Sequence, residues 1–184
     1  MTRAAPVRTG LTFDEYLRLE HNSPARHEYV HGQMFMLAGT SSHHNRLAGR
    51  LYARLLEAEA GTCQTFFADI KVRTPDPGAT GYYPDVLVTC DEDDNDPYVK
   101  RKPCLIAEVL SPSTEAVERG EKLLNYRKLE SLRAYVLLSQ DPPRAEVYRR
   151  DEGGWRYEVR ESGDVLKLPC VGLELPLNTL YDTV

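Results

Sequence analysis

The segment Cys104-Leu105-Ile106-Ala107-Glu108-Val109-Leu110 holds one carboxylate among apolar neighbours. An apolar run of this length, with no polar alternation, is the pattern of a strand covered on both faces. A chain carrying it needs other layers packed above and below that strand. A charge at the centre of such a strand costs several kcal/mol unless a cation, a metal ion or strong donors meet it. Glu108 therefore constrains the fold and the chemistry together. Upstream, Tyr83-Pro84-Asp85-Val86-Leu87-Val88 sets a second carboxylate at the mouth of another apolar run. Two acids on neighbouring strands make a candidate site for a divalent cation.

The rest of the chain reads as a single mixed α/β domain. Residues 1–10 show no periodic apolar pattern and are expected to form a flexible tail before a domain over 11–184. Thr12-Phe13-Asp14-Glu15 is a capping-box pattern that opens a helix. His27–Val30 and Gln33–Leu37 flank His31-Gly32 as a hairpin. Leu47, Leu51 and Leu55 recur at four-residue spacing, which predicts a helix from Ser42 to Ala60 stopped by Gly61. Phe66 to Arg73 alternates apolar and polar side chains, so one half-buried strand is expected there. After Glu108, Ser111-Pro112-Ser113-Thr114 gives a turn and cap for a third helix reaching about Glu130. The apolar run Ala134–Ser139 follows, and strand–helix–strand order implies a right-handed crossover between parallel strands. A hairpin over Arg144–Arg150 and Trp155–Glu161 and a short strand at Asp164–Leu168 complete the pattern.

Composition narrows the functional classes. With 41% hydrophobic and 28% charged residues the chain is globular. No apolar stretch is long enough to span a membrane, and no apolar segment follows Arg3 and Arg8, so a cytoplasmic protein is expected. Net charge of -5 argues against a generic nucleic-acid binder, but Asp91, Glu92, Asp93, Asp94 and Asp96 place most of the acidity in one loop. Cys63, Cys90, Cys104 and Cys170 form no C-x-x-C pair and are expected as buried free thiols.

Asp85 and Glu108 could share one hard cation, and magnesium needs only one or two protein carboxylates. A bound metal can generate hydroxide and steady charge developing on phosphorus, provided a protein cation stands near the water or the phosphate. This arrangement resembles the PD-(D/E)xK nucleases, in which an aspartate follows proline and a second acid stands two residues before a lysine. Pro84-Asp85 and Glu108 match, while Leu110 occupies the lysine position. The whole layout is similar to the Uma-two family of restriction endonucleases. The matching stretches are Arg26–Gly32, Tyr83–Val86, Glu108–Thr114, Gly120-Glu121-Lys122 and Arg133–Leu137.

The resemblance implies a restriction-endonuclease-like core, a mixed central β-sheet flanked by helices. It implies a magnesium- or manganese-dependent endonuclease acting on nucleic acid, DNA before RNA. Asp85 and Glu108 would hold the metal, Lys122 would supply the lysine displaced onto the following helix, and Glu28 would be a further catalytic acid. His44, at the start of the second helix, and Lys71, on the polar face of a strand, are candidate substrate-binding residues. Lys71 is also a rival to Lys122. Leu110 and the acidic charge leave open a nuclease fold that has lost full activity and binds or regulates. The lack of an obvious basic stripe leaves open a hydrolase of a smaller phosphate ester. Apolar strand edges near the C-terminal hairpin suggest a homodimer.

Overall fold

A computed structural model describes residues 3–181; the first two residues of the expected tail and the last three of the expected domain lie outside the described residues. Helix α1 (Phe13–His21) starts at the Thr12 capping box, with Glu15 Oε2 accepting from the Thr12 backbone at 2.7 Å. Strands β1 (His27–Val30) and β2 (Gln33–Met36) form the expected hairpin, His27 opposite Met36. His31 and Gly32 turn it with positive φ at both positions, 46° and 85°. Helix α2 runs Ser42–Glu57. Strands β3 (Gln64–Phe67), β4 (Lys71–Arg73), β5 (Thr80–Tyr82), β6 (Val86–Thr89), β7 (Val99–Lys100) and β8 (Pro103–Val109) follow.

The third helix changes pitch along its length. Glu115–Val117 (α3) is α-helical, Glu118–Lys122 opens into a π-helical turn, and Leu123–Tyr126 (α4) returns to α-helix. It ends four residues before the expected Glu130, where turns lead to β9 (Ala134–Ser139). Strands β10 (Arg144–Asp151) and β11 (Gly154–Glu161) make the predicted hairpin. Strands β12 (Val165–Leu168) and β13 (Leu173–Pro176) close the chain as a small antiparallel pair.

The architecture is mixed α/β, as expected, but spread over two larger sheets with few helices. One sheet runs β11-β10-β9-β8-β6-β3 and the other β2-β1-β5-β4-β7. The predicted crossover is present: β8 and β9 are parallel, with Glu108 opposite Leu137. Asp85 immediately precedes β6, and β6 pairs antiparallel with β8. The two acid-bearing strands are therefore neighbours.

Strand β8 is covered on both faces. Leu105, Ala107 and Val109 pack with Val86, Val136 and Leu138 beneath Leu47, Leu51 and Leu55 of α2. Ile106 and Leu110 face the other way, into Leu87, Tyr126, Leu132, Tyr135 and the Val30, Phe35 and Tyr82 side chains of the second sheet. Cutting one α2 leucine to alanine would cost about 2–5 kcal/mol, because these side chains are almost wholly enclosed. Glu108 shares the Ile106 face, so its carboxylate lies between the two sheets.

Three expectations are corrected. Phe66–Arg73 is not one strand. Ala68 adopts φ 58°, and the chain leaves the six-stranded sheet after β3 to enter the five-stranded sheet at β4. Arg26 holds this corner, donating to Ala68 O at 3.2 Å and to Asp69 Oδ1 at 2.6 Å. Nor are all four cysteines free thiols: Cys63 and Cys90 form a disulfide, because β3 pairs with β6 in a register that brings them side by side. Lastly, residues 3–10, expected as a tail, run along β2, with Val7 N donating to Met34 O at 2.8 Å and Met34 N to Arg8 O at 2.9 Å.

Candidate active site

Asp85 stands where the chain enters β6, and two donors meet its carboxylate. Val109 N donates to Oδ2 at 2.7 Å, and His44 Nε2 lies 3.3 Å from the same oxygen. Glu108, on the adjacent strand, is 2% exposed. Its Oε2 accepts from Asp85 N at 3.3 Å, while Oε1 accepts from Lys122 Nζ at 2.9 Å and from Tyr126 Oη at 3.2 Å. Lys122 thus reaches back across 14 residues of sequence to the strand it follows. Its Nζ also lies 3.1 Å from Glu28 Oε1. Glu28 Oε2 in turn pairs with Arg3 at 2.8 Å, and Arg3 pairs with Glu121 at 2.9 Å.

The π-helical turn explains how the third helix supplies this site. A π turn rotates side chains relative to a regular helix and is frequent at functional positions. Here it buries both Glu118 and Lys122. Asp85, Glu108, Glu118, Lys122 and His44 all line one open cavity of about 480 Å³, together with Arg26, Ser41, Asn45, Ser111, Thr114 and Gln140. Gln140 steadies the rim, donating to Leu110 O at 2.8 Å and accepting from Ser41 Oγ at 3.0 Å.

Charge in the cluster is unbalanced. Asp85, Glu108, Glu118 and Glu28 face Lys122 and Arg3. Burial pushes the Glu108 carboxyl well above the usual range, and Asp85 and Glu118 add to the push against the pull of Lys122. Burial likewise raises Glu118 to about 7, with Asp85 and Glu28 adding and Lys122 and a Thr114 hydrogen bond opposing. For Lys122, burial disfavours the charge, but Glu108, Glu28 and Glu118 outweigh it and hold the ammonium well above its ordinary value. For His44, burial pulls down and the Asp85 contact, with Glu118 behind it, pulls the imidazole up on balance. The surplus negative charge favours proton uptake on Glu108 and Glu118.

The donor set suits a hard cation. Every acid at the cavity is a carboxylate, the charge surplus favours a cation, and Glu118 Oε2 is buried with no hydrogen-bond partner among the described residues. Among the described residues no group of three or more His, Cys, Asp and Glu side chains forms a ready cage. Magnesium keeps several waters and needs few protein ligands, so Asp85 and Glu108, with Glu118 beside them, fit it better than a fully caged ion.

Of the residues singled out in the sequence, Asp85, Glu108, Lys122, Glu28 and His44 meet in one cluster. Lys71 does not line the cavity. It belongs to the second sheet, is buried, and stacks its ammonium 4.8 Å from the centre of the Tyr83 ring. Glu118 and Arg3 escaped sequence reasoning. Glu118 is placed four residues before Lys122, a spacing that puts both near one helix face, and that signal could have found it. Arg3 carried no signal, because only the packing of the first residues against β2 brings it to Glu28.

A family profile described as "Uma2: Putative restriction endonuclease" matches residues 13–178. Two curated relatives come from Synechocystis sp. (strain ATCC 27184 / PCC 6803 / Kazusa). "Uncharacterized protein slr1290" is 34% identical over 176 residues, covering 93% of this chain and 91% of its own. "Uncharacterized protein sll1609" is 35% identical over 145 residues, covering 76% of this chain and 81% of its own. Among solved structures, a "putative nuclease belonging to DUF820 from Anabaena variabilis ATCC 29413" superposes with a TM-score of 0.75. That match covers 93% of this chain and 97% of the other at 18% identity, so it speaks for a shared fold.

Proposed function

The chain belongs to the Uma2 restriction-endonuclease family, and on that premise we propose that it is a magnesium- or manganese-dependent endonuclease that hydrolyses phosphodiester bonds of DNA. The observation that carries this reading is the contact of Lys122 with Glu108 beside Asp85, at the wall of one cavity. It supports Lys122 as the cation that the strand position Leu110 cannot provide. A divalent ion held by Asp85 and Glu108 would supply an acidified water and charge for the developing phosphorane.

The chain's own residues account for the rest. Val109 N and His44 orient the Asp85 carboxylate toward the cavity wall it shares with Glu108. Tyr126 and Lys122 fix Glu108 Oε1 and leave Oε2 with a single long contact from Asp85 N. Lys122, charged at every physiological pH, places a fixed positive group where a phosphate would gain charge. Glu28 and Arg3 hold Lys122 from behind, so Glu28 acts as a positioning residue. The raised Glu118 carboxyl is suited to take or give a proton near neutrality. Arg26, Ser111 and Thr114 at the rim are suited to phosphate oxygens.

The test is cleavage of plasmid duplex, single-stranded DNA, RNA and a small phosphodiester, with magnesium and with chelator, by wild type and Asp85→Asn. Magnesium-dependent cutting of duplex DNA that Asp85→Asn abolishes is expected. Binding of DNA without cutting would favour the weakened, binding-only reading, to which Leu110 points. Hydrolysis of the small ester alone would overturn the assignment to nucleic acid.

A further inference from the structure

Away from the carboxylate site, all four cysteines gather at the opposite ends of the same two strands. Asp85 leads into β6 and Cys90 follows its last residue; Cys104 lies near the start of β8 and Glu108 near its end. The strand rise puts the two sites about 15 Å apart. Cys63 and Cys90 are joined as a disulfide. Cys104 Sγ lies 3.4 Å from Cys90 Sγ, just beyond that bond. Cys104 and Cys170 are free and half-buried, and both pack against the same core.

The backbone explains why Cys104 points there. Val88 pairs with Leu105 but Thr89 pairs with Pro103, so β8 spends one extra residue at this step and that residue is Cys104. A bulge of this kind re-aims a side chain. By simple alternation Cys104 would share the face of Ile106 and Glu108. Instead it packs with the core of Leu105 and Val88, where the disulfide is. Cys170 arrives from the short 3-10 turn Pro169–Val171 that precedes β13.

We propose that Cys63, Cys90 and Cys104 form a thiol–disulfide exchange site in which Cys104 attacks Cys90 and releases Cys63. Cys104 first gives up its proton to hydroxide from solvent. The Cys104 sulfur then bonds to Cys90 Sγ, the Cys63–Cys90 bond breaks, and Cys63 leaves with the electron pair as a thiolate, which takes up a proton. One S–S bond replaces another, so no external oxidant or reductant is consumed. The neighbouring Cys170 sulfur and burial raise the Cys104 thiol, so its thiolate is scarce at neutral pH and exchange quickens as pH rises. Exchange proceeds by attack of a sulfur nucleophile on a disulfide sulfur, so a third sulfur in contact with one end of the bond is the geometry it needs.

The full chain is equilibrated with oxidised glutathione, freed of it, and incubated with N-ethylmaleimide at pH 8. Samples are acid-quenched over time, digested with pepsin at low pH, and their linked and labelled peptides are mapped by mass spectrometry. Maleimide on Cys63 together with a Cys90–Cys104 linkage should accumulate in wild type. It should be absent in Cys104→Ala. Label confined to Cys104 and Cys170, with Cys63–Cys90 intact at every time, overturns the proposal, as does failure of the wild type to form a disulfide. In Cys63→Ser, oxidised glutathione should yield a Cys90–Cys104 bond. A glutathione adduct on Cys90 beside a free Cys104 would count against the site. If that variant does not fold, the wild-type labelling decides alone.

Discussion

Replacing Lys122 by methionine removes the cation from the most enclosed part of the cluster. Lys122 is 6% exposed, and Glu28 and Glu108, its partners at 3.1 and 2.9 Å, are each 2% exposed. Taking one member from a buried ion pair leaves the others uncompensated and costs about 3–5 kcal/mol. In a domain of this size that lowers Tm by about 6–20 °C. A catalytic lysine that met only water or phosphate would change stability little on removal; its burial against two glutamates reverses that expectation. The pH dependence has a definite sign. The folded-state pKa of Lys122 is raised, so its contribution is complete below its unfolded value and is lost only as pH climbs through the folded one, far above neutrality. In the variant, the stranded carboxylates must bind protons or stay charged without a partner, so its stability falls as pH rises above the unfolded glutamate range. The gap between wild type and variant therefore widens from pH 5 to pH 8. Urea unfolding followed by circular dichroism at both pH values measures it, and Glu28→Gln added to Lys122→Met should recover part of the loss. Turnover measured under conditions where the variant is fully folded should drop by roughly two or more orders of magnitude. Equal stability of wild type and variant at pH 8 would refute the buried-pair argument, and unimpaired turnover would refute the catalytic one.

The other predictions concern neighbouring groups. Asp85→Asn should keep the Val109 hydrogen bond yet weaken magnesium binding by calorimetry, and wild-type affinity should fall as pH drops below about 7 and Glu118 takes up its proton. Because the folded pKa of Glu118 is raised, the wild type loses stability as pH rises from the unfolded glutamate value to about 7, a span worth about 3 kcal/mol. Glu118→Gln should lessen that slope in unfolding curves taken from pH 4 to 8, Glu108 supplying the remainder, and an unchanged slope would place the titration elsewhere. Lys71→Met should leave turnover within about twofold of wild type, since Lys71 packs on Tyr83 outside the cavity. If it abolishes cleavage while Lys122→Met does not, the lysine assignment is reversed. Tyr126→Phe deletes one 3.2 Å bond to Glu108 and should cost about 1 kcal/mol in the same unfolding assay.

Local patterns in the chain were sufficient for much of this molecule. The unbroken apolar run around Glu108 dictated a doubly covered strand, because only burial on both faces makes such a run favourable. The capping box at Thr12 and the leucine spacing of α2 dictated their helices through backbone hydrogen bonding and side-chain periodicity. The acid in that run called for a cation, and the family resemblance singled out Lys122, which strand–helix–strand order puts on the element that returns over the sheet. What local pattern could not carry was any pairing between distant segments. The break at Ala68 depends on which sheet each half of Phe66–Arg73 joins. The disulfide depends on the β3–β6 register, and the reach of Cys104 on a bulge against β6. The burial of Lys122 depends on a π turn closing beneath the second sheet, and Arg3 enters the site only because residues 3–10 lie along β2. Charge, period and capping are read from neighbours in sequence, whereas register, bulges and desolvation are settled by packing between segments far apart, and it is there that the roles of Glu118, Arg3 and the four sulfurs were decided.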